Sequence, residues 1–283
     1  MSIPASLMCG PHTTLLLLKK RYILFYIFLI WISFFSIQFE FWLFWGLYDW
    51  KYVHFLIFLP LLVLVMYLSS IISSLIFAKI LLVIANLVHK PSEGVFLRHP
   101  SDKDYRYWSI RSVIKKWPLW LSHKFPFPFM NNICLKLFGI RSKYSNSLFE
   151  GYVDTEFLEF GKNVVVGQGA VIQSAVIVGN LFIMRKTIIE DDVVIGAHSV
   201  VMPGTNMKKR SILAGHSLTT VGQVLEEGWI YLGAPAKKYK KNVFYEEGLE
   251  AIIEQEMAVK IITDKKFEEL YTIRKDKHAK SEK

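Results

Sequence analysis

Cysteine is scarce in this chain: Cys9 and Cys134 are the only two, far apart and in unlike contexts. Two such residues make no disulfide framework, and they fit a protein facing reducing cytoplasm. Zinc-finger spacings and RNA-reading signatures are missing, which sets nucleic acid aside as a partner despite a formal net charge of +10. The basic balance then points to anionic lipid or to a polyanionic cofactor. The first apolar run lacks the small residues of a cleavage site after it; bulky aromatics come next instead, so it is not a cleavable leader.

Apolar and aromatic residues dominate up to about Val88, and an ordinary basic globular composition succeeds them. A step that sharp marks two physical environments. Tyr22–Phe39 is uncharged and long enough for a marginal span, and a second run extends from Val53 to Ala78 before Lys79. Between them, Glu40–Trp45, Tyr48, Trp50 and Tyr52 are expected to form an aromatic belt at the headgroup level. Lys19, Lys20 and Arg21 precede the first span with no acid nearby. Lys90, Arg98, Lys103, Arg106 and Arg111 come after the second. The positive-inside bias therefore predicts a multi-pass membrane protein of two spans, with both termini and everything after the spans in the cytoplasm.

From Pro100 to Asn146 the pattern predicts a helical collar on the membrane surface. Tyr107, Ile110, Ile114 and Trp117 recur at helical spacing, with Arg106, Arg111, Lys115 and Lys116 elsewhere on the turn. Such a helix suits anionic lipid, or packing on the domain C-terminal to it. Lys124–Phe129, with two prolines, cannot continue it.

From Phe160 the chain advances in steps of six. Phe160, Val166, Ile172 and Val178 are apolar, then Ile189, Ile195, Val201, Met207 and Leu213. Four positions after each of these the side chain is mostly small or β-branched, as at Ala170, Ser199, Thr205, Ser211 and Ser217. This period predicts a triangular prism in which each hexad supplies one face and one corner. Apolar residues fill the inside, and glycines such as Gly161, Gly167 and Gly196 ease the turns. The register slips between Val178 and Ile189, predicting an excursion at one corner. The expected organisation is 1–90 membrane hairpin, 91–150 collar, 151–242 prism, and 243–283 C-terminal helix with a charged tail.

Ile195–Thr205 and the closing stretch Gly228–Lys237, with Gly233-Ala234-Pro235-Ala236-Lys237, resemble the hexapeptide-repeat acyltransferase superfamily. That resemblance implies a left-handed parallel β-helix, a homotrimer and acyl-CoA as co-substrate, with no tightly bound cofactor. Spans leading into such a coil are also similar to the C-terminal module of membrane-bound amino-acid-polymer synthetases. In that group a histidine comes after a Gln-Thr pair; here the order is Gln173-Ser174-Ala175, so the usual base is absent.

Acyl transfer needs a base near neutral pH, and histidine is the natural candidate. His198 and His216 lie three hexads apart and are expected to stack along one edge, with His198 the first choice for base. Asp191 and Asp192 are candidates to orient a ring. A γ-class carbonic anhydrase site would need a third histidine, so no metal is expected. Phosphate recognition is assigned to Lys208, Arg210, Gly233, Ala234, Lys237 and Lys238. The function expected is acyl transfer to a lipid-linked or cell-envelope acceptor; the alternative is an inactive trimeric membrane scaffold.

Overall fold

The computed structural model describes residues 20–48, 52–143, 146, 148 and 151–242. Lys19 and the C-terminal helix expected from Glu246 lie outside them. The chain divides into two compact units, 1–239 and 240–283, and among the described residues every helix, and every strand up to Leu232, belongs to the first.

Helices α1 (Ile23–Tyr48) and α2 (Tyr52–Val88) are both long and apolar enough to cross a membrane. They expose large side chains along their length, from Leu24 (66%) to Leu87 (80%). Length, composition and uncovered apolar surface together make each helix one that could cross a membrane. The stretch Glu40–Trp45, expected between the spans, instead continues α1. It contains no proline, and its rings pack on the second helix: Phe44 and Trp45 each lie 5.3 Å from Phe55. Glu40 accepts a hydrogen bond from Ser69 Oγ at 2.7 Å.

Helix α3 (Lys103–His123) begins on Asp102, whose carboxylate accepts the Tyr105 N–H at 3.1 Å. Helix α4 (Pro128–Leu137) starts on a proline, where a missing N–H costs nothing. Ile71, Leu75 and Ala78 of α2 share a buried core with Ile114 of α3 and Cys134 of α4.

From Tyr152 short strands pair in parallel into three faces. Val194, Ile212 and Ile230 stack on one face, and Ile188, Asn206 and Val224 on another, each 18 residues after the last. A full turn of this coil is therefore three hexads. Val166, Ile172, Ile189, Ile195, Val201, Met207 and Leu213 fill its interior, as the period predicts. Gly161, Gly167 and Gly196 are needed for a different reason from the one expected. A Cβ on Gly196 would come within 2.3 Å of Gly215 N on the next turn, so close approach of backbones excludes it. The left-handed conformations fall two residues later, at Asn163, Gly169 and His198.

One turn is longer. Val165 pairs with Val194, 29 residues on rather than 18. The eleven extra residues carry the register slip and form an antiparallel hairpin, Ala175–Val178 with Leu181–Met184, which Gly94–Leu97 joins as a third strand. Phe182 is fully buried, its ring 4.6 Å from Trp108 and 5.5 Å from Tyr105. The excursion thus bolts the coil to α3.

Candidate functional site

Each corner of the coil repeats one residue in the left-handed region. One corner carries Asn163, Asp192, Arg210 and Gly228 (φ 55°, 58°, 60° and 67°); the next carries Gly169, His198 and His216 (φ 68°, 54° and 55°). Asn, Asp and His are the side chains that enter this region most readily after glycine. The same corner geometry that tolerates the histidines also turns them outward.

His198 and His216 stack along one edge, with ring centroids 5.3 Å apart and planes 21° from parallel. Both are exposed. Gly169 is the floor beneath them, because a Cβ there would lie 2.5 Å from His198 Nδ1. Sequence reasoning missed Gly169; counting back 18 residues plus the eleven of the excursion from His198 would have found it. Among the described residues neither imidazole has a hydrogen-bond partner.

Asp191 and Asp192 do not orient these rings, because they occupy the preceding corner. Asp191 accepts the Lys162 N–H at 2.7 Å and Asp192 accepts from Asn163 Nδ2 at 3.1 Å. The phosphate-binding candidates divide in the same way. Lys208 and Arg210 belong to the Asp192 corner, where Lys208 Nζ reaches Glu190 at 2.8 Å. Gly233 and Ala234 close the histidine corner, and the Gly233 N–H donates to Ser217 Oγ at 3.1 Å. Lys238 pairs with Glu226 and stands 3.9 Å above the Trp229 ring, and Lys237 is exposed beside it. Among the described residues no three His, Cys, Asp or Glu side chains converge as metal ligands do.

A second polar cluster lies under α3. Tyr152, Asp154 and Glu156 alternate with the buried Val153 and Thr155 on the first turn of the coil. Arg111 Nε and Nη2 donate to the two Glu156 oxygens at 2.8 and 3.2 Å, and Lys115 Nζ reaches Oε1 at 2.6 Å. Burial alone would raise the Glu156 carboxyl, but Lys115 and Arg111 together hold it below the ordinary range. Burial pushes the Lys115 ammonium down in spite of that partner. Asp154, which accepts from Tyr152 Oη at 3.0 Å and Ser174 N at 2.9 Å, is raised by burial. The basic face that suited lipid is thus turned to the coil at Arg111 and Lys115. Helical spacing gave the stripe; nothing in it named Glu156, 41 residues after Lys115, as the cover.

No family model matches the sequence. A 2,3,4,5-tetrahydropyridine-2,6-dicarboxylate N-acetyltransferase of Staphylococcus aureus is 38% identical over 81 residues, which is 29% of this chain and 32% of that enzyme. The chain thus spans about a third of the length of the curated relatives it matches. Two solved structures align weakly. A maltose O-acetyltransferase from Clostridium difficile 630 has a TM-score of 0.35 at 14% identity, over 45% of this chain and 83% of that one. A galactoside acetyltransferase in complex with coenzyme A has a TM-score of 0.34 at 13% identity, over 44% and 77%. Over those 81 residues the chain is thus similar to an N-acetyltransferase, and it carries two long apolar helices ahead of a strand-rich C-terminal region.

Proposed function

We propose that the protein is a membrane-anchored acyltransferase. It moves an acyl group from acyl-CoA to a hydroxyl or amine of a lipid-linked or cell-envelope acceptor. The observation that carries this is the 38% identity to an N-acetyltransferase, in a chain that repeats hexads around an 18-residue turn. In this reading the coil is a left-handed parallel β-helix that assembles as a homotrimer. Helices α1 and α2 span the bilayer, and the termini and coil face the cytoplasm, where acyl-CoA is made.

His198 is the proposed base and His216 its neighbour on the ladder, with the acceptor brought to the exposed ring edge. Lys208, Arg210, Lys237 and Lys238, with the Gly233-Ala234 turn, are the proposed contacts of the CoA phosphates. Mass spectrometry of ligands retained by the detergent-solubilised protein tests the assignment. Retained CoA supports it. Replacement of Lys237 and Lys238 by Ala should then raise the apparent KM for acyl-CoA without loosening membrane attachment. A tightly held anionic lipid with no CoA, lost in the same variant, would oppose it.

The inactive scaffold keeps two specific supports. Neither histidine has an orienting partner among the described residues, and Ala175 stands where the synthetase-like group places its base. Cysteines introduced near Ser2 and near Trp45 test the topology, and labelling of the Ser2 site from outside intact cells would contradict it.

A further inference from the structure

We propose that the α3–α4 pair is a re-entrant wedge seated in the cytoplasmic leaflet, with acyl chains of the bilayer around its tip. This rests on the proposed spanning of α1 and α2, and it replaces a surface collar by an immersed one.

Three contacts set heights along α2, counted from Tyr52 at about 1.5 Å per residue. Arg111 Nη1 donates to His89 O at 3.3 Å, just past the end of α2 at Val88. Tyr67 Oη donates to Lys124 O at 3.0 Å, at about 22 Å. Lys79 Nζ donates to Leu137 O at 2.6 Å, at about 40 Å. So α3 descends along α2, the chain turns after Lys124, and α4 climbs back.

Helix α1 places the descent independently. Trp117 Nε1 donates to Ser33 Oγ at 3.1 Å, and the Trp117 ring meets Tyr26 edge-on at 6.0 Å. Were Ser33 above the hydrocarbon, Phe34–Tyr48 would be left to cross it. That is about 22 Å of helix for a core of ~30 Å. The Tyr52–Tyr67 segment of α2 falls short by the same amount. A bilayer with a core of ~30 Å that both helices span therefore encloses the turn below its boundary.

The turn is built for a medium without water. Every backbone polar group left open in hydrocarbon costs several kcal/mol. The Lys124 and Phe125 N–H groups donate to Leu121 and Ser122 carbonyls, and Tyr67 covers the Lys124 carbonyl. Pro126 and Pro128 remove two donors outright. The turn exposes the rings of Trp120 at 50%, Phe127 at 59% and Phe129 at 50%, with Phe127 and Phe129 stacked 6.1 Å apart. Beside them lie the exposed His123, whose Nδ1 is 2.7 Å from Leu119 O, and Lys124. Lys116 and Lys124 have stems long enough to carry their charges back to the headgroups.

The test uses the full chain in lipid nanodiscs, with a fluorophore on a cysteine introduced at Phe127, at Leu61 in α2, or at Lys103 at the start of α3. The parent chain treated alike is the blank. Quenching is compared for lipids with a nitroxide on the headgroup, on the upper acyl chain or near the chain end, and for aqueous iodide. The proposal expects Phe127 to be quenched most by the upper acyl-chain nitroxide, Leu61 by the deep one and Lys103 by iodide. A deep Leu61 with Phe127 quenched best by headgroup nitroxide or iodide would overturn the wedge and leave the spans standing. A shallow Leu61 would overturn the spanning reading, and the wedge with it.

Discussion

Two sets of opposite charges in this molecule behave very differently. At a corner of the coil, Lys209 and Asp191 stand 3.9 Å apart with side chains 55% and 38% exposed. Beneath α3, Arg111 and Lys115 approach Glu156 to 2.8 and 2.6 Å, and none of the three side chains is more than 10% exposed. The first pair is screened by water and contributes little. The second has given up its hydration and depends on mutual completeness. The difference locates the mechanical joint of the protein at the junction of α3 with the first turn of the coil, not within the coil.

That contrast can be broken most forcefully at its buried end. Glu156→Ala strands two buried cations and should destabilise the fold by about 3–5 kcal/mol, read as a lowered denaturation midpoint in detergent. If the midpoint hardly moves, the junction is not a joint. A smaller, pH-dependent effect separates Glu156 from its neighbour. The folded-state pKa of Glu156 is depressed, so its contribution is fully present above the unfolded carboxylate value of about 4.3 and is lost as pH falls through the folded one. The folded-state pKa of Asp154 is raised, so its penalty grows as pH rises from about 3.9 through the folded value. Glu156→Gln should flatten the acid limb of a stability–pH profile, and Asp154→Asn the opposite limb. Matching limbs in the two variants would contradict the assignment.

Smaller still is the backbone effect at the histidine corner. With φ at 54°, His198→Gly should relieve strain and raise stability by about 1 kcal/mol at most. His198→Ala, which retains the Cβ, should not. At the exposed end of the comparison, Lys209→Ala should change stability by less than about 1 kcal/mol, and added salt should erase the change. A loss comparable to that of Glu156→Ala would remove the distinction between the two charge sets.

The coil is legible in the sequence because a six-residue period fixes the interior positions, although the residues that turn each corner fall two places after the glycines it singles out. Spacing alone names Ile195, Val201, Met207 and Leu213 as interior, and the His198–His216 stack comes from the same count. The collar is less legible because a 3.6-residue period says which side chains share a face but not what covers it. Arg111 and Lys115 look alike whether lipid or Glu156 lies opposite. The end of the first span is misplaced by composition for a related reason. Composition marks where lipid-compatible residues stop, whereas helix α1 stops only where its backbone does, at Tyr48. Asp191 and Asp192 sit near His198 in sequence, yet a corner turns between them and it.

The central claim, that the histidine edge of the coil performs acyl transfer, is tested most directly by tracing labelled acetyl from acetyl-CoA into a lipid and envelope extract. The detergent-solubilised protein is compared with His198→Gly, a substitution the corner accommodates. The account predicts transfer by the parent chain and a loss of about 10²–10⁴-fold in the variant, with the fold intact. Undiminished transfer by a folded His198→Gly chain would place the base elsewhere. No transfer by the parent chain, together with no retained CoA, would leave the coil as a scaffold.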